Sequence, residues 1–367
     1  MATEQAPSLE LACKLLGQLF IVGFNGVELS DETSAFLAQA NIGGVILFTA
    51  NYESPGQVAE LVNQVQECRN DDLPLWISID HEGGRVQRFR KFFTRIPDAA
   101  TVAAMDSPRL TFELAELVAK ELKAVGVNVN FAPVADINTN PKNPVIGPRS
   151  YGSDEETVTK QITAVVRGHL VRKVQPCIKH FPGHGDTSTD SHFSLPKVDT
   201  DLKTMMEREF KPFNKAFRSH CSLVMTAHII CTKLDPDRPA TLSGAIMTDL
   251  LRKQMRYTGL IITDDMEMKA ITDHFGDEAP ILAIEAGCDI LTYRSEAAGR
   301  KAHTTVMKAL ESGRLSPEII IATEKRIRAL KKEVLLPYSP VIIAELAEKI
   351  GTPEHLALVE KIPEIQK

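Results

Sequence analysis

The chain contains no block of basic residues, no pair of cysteines at the spacing of a zinc site, no internal repeat and no low-complexity tract. Each absence excludes something. With a net charge of −6 and a pI near 6.0 there is no electrostatic attraction for polyanions, so nucleic acid is not an expected partner. No apolar run approaches the roughly 20 residues of a membrane span, so no membrane partner is expected either. Six cysteines (Cys13, Cys68, Cys177, Cys221, Cys231 and Cys288) are scattered without CxxC spacing, several of them in apolar runs, which fits buried reduced thiols better than a metal centre. Glu4 and Glu10 stand where a secretory signal would carry positive charge, and no apolar segment precedes Cys13. A cytoplasmic location is the expectation. Nothing in the sequence sets the oligomeric state.

What is present is enough apolar material for one large core: 43% of 367 residues are hydrophobic. Eight short strand-like runs alternate with longer segments of helical period: Leu19 to Gly23, Val45 to Phe48, Leu75 to Asp80, Val127 to Phe131, Val174 to Lys179, Ser222 to Ala227, Leu260 to Asp264 and Asp289 to Thr292. Ser54-Pro55 and Ser107-Pro108 place a capping hydroxyl before a proline in the first helical turn, Ser153 with Glu156 has the spacing of a capping box, and Gly126 follows a helical stretch as a C-cap glycine would. Eight such alternations over about 300 residues fit an α/β fold of the (β/α)8 type, a TIM-type barrel, better than an open doubly wound sheet. The expected organisation is one catalytic barrel, residues 1–335, followed by a short helical C-terminal appendage, residues 336–367.

In such a barrel catalytic groups come from the C-terminal ends of several strands, and there the polar residues gather. The third strand runs into DHEGGRVQR (Asp80 to Arg88). The fourth is followed by APVADI (Ala132 to Ile137) and an Arg149-Ser150 loop, the sixth by MTAHI, the seventh by TDDMEM. Most informative is the segment after Ile178, KHFPGHGDTSTDSH, Lys179 to His192, too rich in Gly and Pro to be a helix. In an extended stretch, side chains two apart point the same way, so Asp190 can orient the imidazole of His192 and make of it a general acid/base.

Together DHEGGRVQR, KHFPGHG…DSH and TDDMEM resemble glycoside hydrolase family 3, specifically its single-domain β-N-acetylglucosaminidases, in order and spacing from about Leu11 to Leu330. The resemblance implies a retaining exo-hydrolase that removes β-linked N-acetylglucosamine from non-reducing ends, and in many bacteria one that acts on cell-wall muropeptides recycled in the cytoplasm; no cofactor is expected, and no metal, since the candidate ligands all lie in one loop. It implies Asp264 as nucleophile, His192 as acid/base with Asp190 as its partner, and Asp80, Arg88, Arg149, Lys179 and His180 as the residues holding the sugar. The small-carbohydrate substrate is the one partner expected.

The chemistry is consistent on its own terms. Retaining glycosidases usually use two carboxyl groups; here a histidine replaces one, and imidazole titrates near neutral pH without needing a raised carboxyl pKa. The nucleophile must stay ionised, which Lys179 or an arginine nearby would secure. Alternation along a strand lets only one of Asp264 and Asp265 face the barrel axis; the pattern does not choose between them, and the resemblance selects Asp264. Structural readings stand beside these. Asp264 with Asp265, or Asp80 with Glu82, would serve as helix or turn caps; His228 and Asp136 read as satisfied near-core groups; His184 and Asp186 read as loop-shaping. Three rival functions remain at this level: a metal-dependent hydrolase using the loop histidines and aspartates, a non-catalytic sugar-binding module, and a glycoside phosphorylase, since a neutral histidine base admits phosphate.

Overall fold

In the computed structural model, which describes residues 5–187 and 195–362, eight parallel strands close into a barrel. They are β1 (Phe20–Val22), β2 (Gly44–Leu47), β3 (Trp76–Ile79), β4 (Val129–Asn130), β5 (Gln175–Phe181), β6 (Leu223–Thr226), β7 (Leu260–Asp265) and β8 (Ile290–Tyr293). Each pairs with its neighbours in chain order and β8 closes on β1. All eight correspond to the runs read from the sequence. Their residues are buried almost throughout because helices cover the outer face while the inner face fills the barrel, which explains why the runs are continuously apolar rather than alternating.

The helices begin where their chemistry says they should. Helix α1 (Pro55–Glu67) and helix α2 (Pro108–Ala124) each start with proline, and the preceding Ser54 and Ser107 accept the backbone N–H of Gln57 and Leu110. Gly126, beyond α2, has φ +85°, the left-handed geometry that ends a helix cheaply only at glycine. For helix α3 (Glu155–Val171) the capping box of Ser153 and Glu156 is not formed. Asp154 caps instead, accepting the N–H of Thr157, one residue later than expected; its carboxylate also places negative charge at the helix N-terminus.

Two buried polar contacts tie the ends of the chain to the barrel. Helix α4 (Pro317–Leu335) carries Lys331 under β2, where its Nζ donates to Gln18 Oε1 at 3.0 Å and to Gly43 O at 2.8 Å; burial lowers its pKa to about 7. Beyond it, helix α5 (Pro353–Val359) lies against α2. There the carboxylate of Glu121, buried in α2, accepts from Thr94 N (3.0 Å), Thr94 Oγ1 (2.6 Å), Gly351 N (2.8 Å) and His355 Nδ1 (2.7 Å). Among the described residues no helix is long and apolar enough to cross a membrane.

Candidate active site

A cavity of about 360 Å³ opens at the C-terminal ends of the strands. Ile46, Phe131 and Met225 from the barrel interior contribute apolar lining, while charged groups stand around them. Asp80 follows β3, and Glu82 and Arg88 come from the small hairpin formed by His81–Gly83 and Val86–Gln87. Arg149 sits on a one-turn helix, Gly147–Arg149, and Lys179 and His180 belong to β5. With Asp264 at the end of β7, these line one cavity; all five expected sugar-holding residues and the expected nucleophile are thus brought together. Asp190 and His192 lie outside the described residues.

Two expectations about direction are corrected. Lys179 and His180 were read as the start of a loop, but β5 continues through Phe181. Its register against β6 shifts between Ile178 and Phe181, and that of β7 against β8 shifts between Ile262 and Asp265. A break in strict pairing re-aims side chains, so Lys179 with His180, and Asp264 with Asp265, all line the same cavity although alternation would send each pair to opposite faces.

The charges form a network that the sequence reading only partly foresaw. Arg149 grips Glu82 through Nε–Oε2 at 2.9 Å and Nη2–Oε1 at 2.8 Å. Lys179 Nζ lies 2.7 Å from both Asp80 Oδ1 and Glu82 Oε1, and Arg88 Nη2 reaches Asp80 Oδ2 at 3.3 Å with its guanidinium over the ring of Phe48. Burial alone would raise the Glu82 carboxyl pKa, but Arg149 and Lys179 outweigh it and hold the group well below the usual carboxylate range. Burial likewise disfavours the Lys179 cation, and Asp80 with Glu82 outweighs it, raising the Lys179 pKa. Neither Asp80 nor Glu82 is the cap that the structural reading allowed. Glu82 is the hub through which a loop after β4 and a lysine of β5 are held to the β3 hairpin. Its signal was available: it follows Asp80 by two, the spacing used for Asp190 and His192.

The neighbouring aspartates of β7 stand in different fields. Burial acts to raise the Asp264 pKa, but His180, His228 and Lys179 together outweigh it and the group is lowered, hence ionised at neutral pH. For Asp265 burial prevails and lifts the carboxyl to about 6, despite Arg294 Nε at 3.1 Å. Among the described residues Asp264 makes no ion pair; its Oδ1 accepts the N–H of Asp265 at 2.8 Å. Two adjacent carboxyls with pKa values pushed apart are the arrangement by which a site assigns one of them to attack.

Behind the cavity, His180 Nδ1 is 2.7 Å from Asp136 Oδ2, which is fully buried. His184 hydrogen-bonds Thr187 Oγ1 through Nδ1 at 2.9 Å, and burial lowers its pKa to about 4, leaving it neutral. Asn143 Nδ2 donates to His184 O (2.9 Å) and Gly185 O (3.0 Å), fastening this turn to the loop after β4. His228 bridges Thr241 Oγ1 at 2.8 Å and the carbonyl of Asp265 at 3.1 Å, consistent with its structural reading. Among the described residues, no three His, Cys, Asp or Glu side chains converge as a metal-binding group.

A closed parallel barrel whose mouth gathers paired carboxylates, guanidinium groups and, among the described residues, an ionised aspartate without an ion pair defines, as a class, a barrel enzyme for a polyhydroxylated substrate. Comparison with known proteins gives the family. The model of the glycosyl hydrolase family 3 N terminal domain matches residues 12–330. Beta-hexosaminidase A of Pseudoalteromonas piscicida is 36% identical over 358 residues, covering 90% of this chain; the chain in turn spans only 59% of that protein's length. The beta-hexosaminidase of Methylococcus capsulatus (strain ATCC 33009 / NCIMB 11132 / Bath) is 37% identical over 297 residues, covering 80% of this chain and 86% of its own. The solved glycoside hydrolase family 3 β-N-acetylglucosaminidase from Paenibacillus sp. str. FPU-7 superposes with a TM-score of 0.92 at 38% identity, covering 95% of this chain and 68% of that one. The chain belongs to glycoside hydrolase family 3, and the relatives it resembles include beta-hexosaminidases.

Proposed function

We propose that this protein is a retaining exo-β-N-acetylglucosaminidase in which Asp264 attacks the anomeric carbon while His192, oriented by Asp190, donates a proton to the departing oxygen. The C–O bond to the leaving group breaks as the Asp264–C1 bond forms. In the second half His192 takes a proton from water, whose oxygen displaces Asp264 and releases the sugar. The observation that carries the reading is the state of Asp264: an ionised carboxylate without an ion pair among the described residues, in the cavity that five other sugar-type ligands line. Asp80, Arg88, Arg149, Lys179 and His180 are the proposed sugar contacts, since carboxylates and guanidinium groups each make two hydrogen bonds to neighbouring hydroxyls.

Residues 1–335 are proposed as the catalytic barrel, with 336–367 as a short helical C-terminal appendage. Muropeptides in the cytoplasm are the proposed natural substrates. Six free thiols, five of them buried, suit a reducing compartment. The test has two arms. A panel of aryl glycosides (glucoside, xyloside, N-acetylglucosaminide, N-acetylgalactosaminide) identifies the sugar, with the N-acetylglucosaminide expected to turn over fastest. A 2-fluoro sugar is expected to trap an adduct on Asp264, and D264A to lose turnover while keeping its fold; an adduct on Asp265 would refute the assignment.

A further inference from the structure

Among the described residues, every lysine and arginine lining the sugar cavity but one has a carboxylate partner. Arg149 grips Glu82, Lys179 lies between Asp80 and Glu82, Arg88 reaches Asp80, and Arg294 pairs with Asp265. Arg85 lines the same cavity, and its Nη2 donates instead to the carbonyl of Val145. Arg149 Nη1 donates to that same oxygen at 3.3 Å. Two guanidinium groups therefore meet at one carbonyl, while Glu82 neutralises only Arg149, and like charges held this close repel. Arg85 follows the glycine turn of the β3 hairpin, where Gly83 (φ +108°) and Gly84 (φ +54°) take left-handed geometry that costs glycine little. Arg90 Nη2 braces that turn by donating to the carbonyl of Arg85 at 2.9 Å. Side-chain exposure rises from 3% at Lys179 through 13% at Arg149 to 32% at Arg88, and Arg85 is exposed. The matched groups thus form the depth of the cavity and Arg85 stands at its mouth.

We propose that Arg85 is a specificity-determining residue that binds a carboxylate carried by the leaving group. The inference rests on the exo-acting reading above: with the terminal sugar in the depth of the cavity, the part of the substrate at the mouth is the leaving group. Matched pairs such as Arg149 with Glu82 suit neutral hydroxyls, because donor and acceptor arrive together without net charge. An unmatched guanidinium suits an anion, which it takes through the N–H groups not given to Val145 in two parallel charge-assisted bonds. Bracing the loop after β4 through Val145 is the other task Arg85 performs, and the two separate cleanly. Loss of a brace is felt by every substrate alike, whereas loss of charge recognition is felt only by a substrate that carries the charge.

The experiment uses two N-acetylglucosaminides, one releasing 4-hydroxybenzoate and the other its methyl ester, and reads the ratio of their kcat/KM values, carboxylate over ester. Comparing that ratio between proteins cancels the different reactivity of the two leaving groups. In R85Q it is expected to fall about tenfold below the parent's, the loss of one charge-assisted contact. R85K keeps the charge without the planar fork, so its ratio should lie between the two. The parent's ratio should also fall as sodium chloride is raised to about 1 M, because a contact at the mouth is screened. A folded R85Q with the parent's ratio overturns the proposal, as does a parent ratio that salt leaves unchanged, which decides the matter even if R85Q does not fold. The two levels are distinguishable. A parent that turns over neither substrate sinks the exo-N-acetylglucosaminidase reading, whereas a parent that turns over both with a ratio indifferent to Arg85 sinks this inference alone.

Discussion

Replacing Glu82 by glutamine is the sharpest test of the charge network, because it removes one negative charge and almost no volume. Glu82 is buried and takes two bonds from Arg149 and one close contact from Lys179. In E82Q the amide oxygen still accepts one bond, but the NH2 group faces a donor, and Arg149 is left as a buried cation without a carboxylate. Removing one partner of a buried pair costs about 3–5 kcal/mol. Unfolding entropy near 2.1 cal/mol/K per residue gives about 0.8 kcal/mol/K for this 367-residue chain, so Tm should fall by about 4–6 °C at pH 7. The loss has a pH signature. Glu82 has a folded pKa below its unfolded one, so its contribution is complete above the unfolded value, about 4.3, and fades as pH falls toward the folded value. Differential scanning calorimetry of parent and E82Q at pH 7 and at pH 3.5 should show the gap narrowing at the lower pH. A gap of zero at pH 7, or one that does not change with pH, would refute the view that Glu82 is an ionised hub. Activity should fall as well, since Lys179 and Arg149 would lose the anchor that fixes them at the sugar.

Two further outcomes are expected. His192→Ala should slow substrates with poor leaving groups by about 10² to 10⁴ while barely affecting activated aryl glycosides; equal losses on both, measured as kcat/KM, would count against an acid role. Lys331 has a folded pKa of about 7 against about 10.4 when unfolded, so between those values the unfolded chain binds more protons and stability rises with pH. The Tm of the parent should therefore gain on that of K331M as pH is raised from 7 to 9.5, and a constant difference would show that the amine is not held back from protonation.

The fold was legible because barrel strands are buried on both faces and short. Each of the eight reads as an apolar run between capped helices, and Ser54, Ser107 and Gly126 behave as local chemistry dictates. The cap at Asp154 was displaced by one residue because Ser153, Asp154, Glu155 and Glu156 offer overlapping patterns, and only the packed position of α3 selects among them. Within the site, Asp80, Arg88, Arg149, Lys179, His180 and Asp264 were found from motifs, and all line one cavity. Glu82 was set aside as a cap and Asp136 as a satisfied near-core group because their partners lie far away in sequence: Arg149 is 67 residues from Glu82, and His180 is 44 from Asp136. That Asp264 and Asp265 both line the cavity runs against simple alternation, because that rule assumes an unbroken register and β7 shifts its register against β8 at the mouth.

The match to the family ends at residue 330, yet the molecule is mechanically continuous beyond that point. Glu121 is the reason: one side chain in the wall of the barrel is shared between Thr94, which ends the stretch of chain carrying Arg88, and Gly351 with His355 from the far end of the polypeptide. Cutting the chain after Leu335 would strip that carboxylate of two of its three partner residues among those described, so what looks like a detachable tail is a strut pinned into the barrel wall.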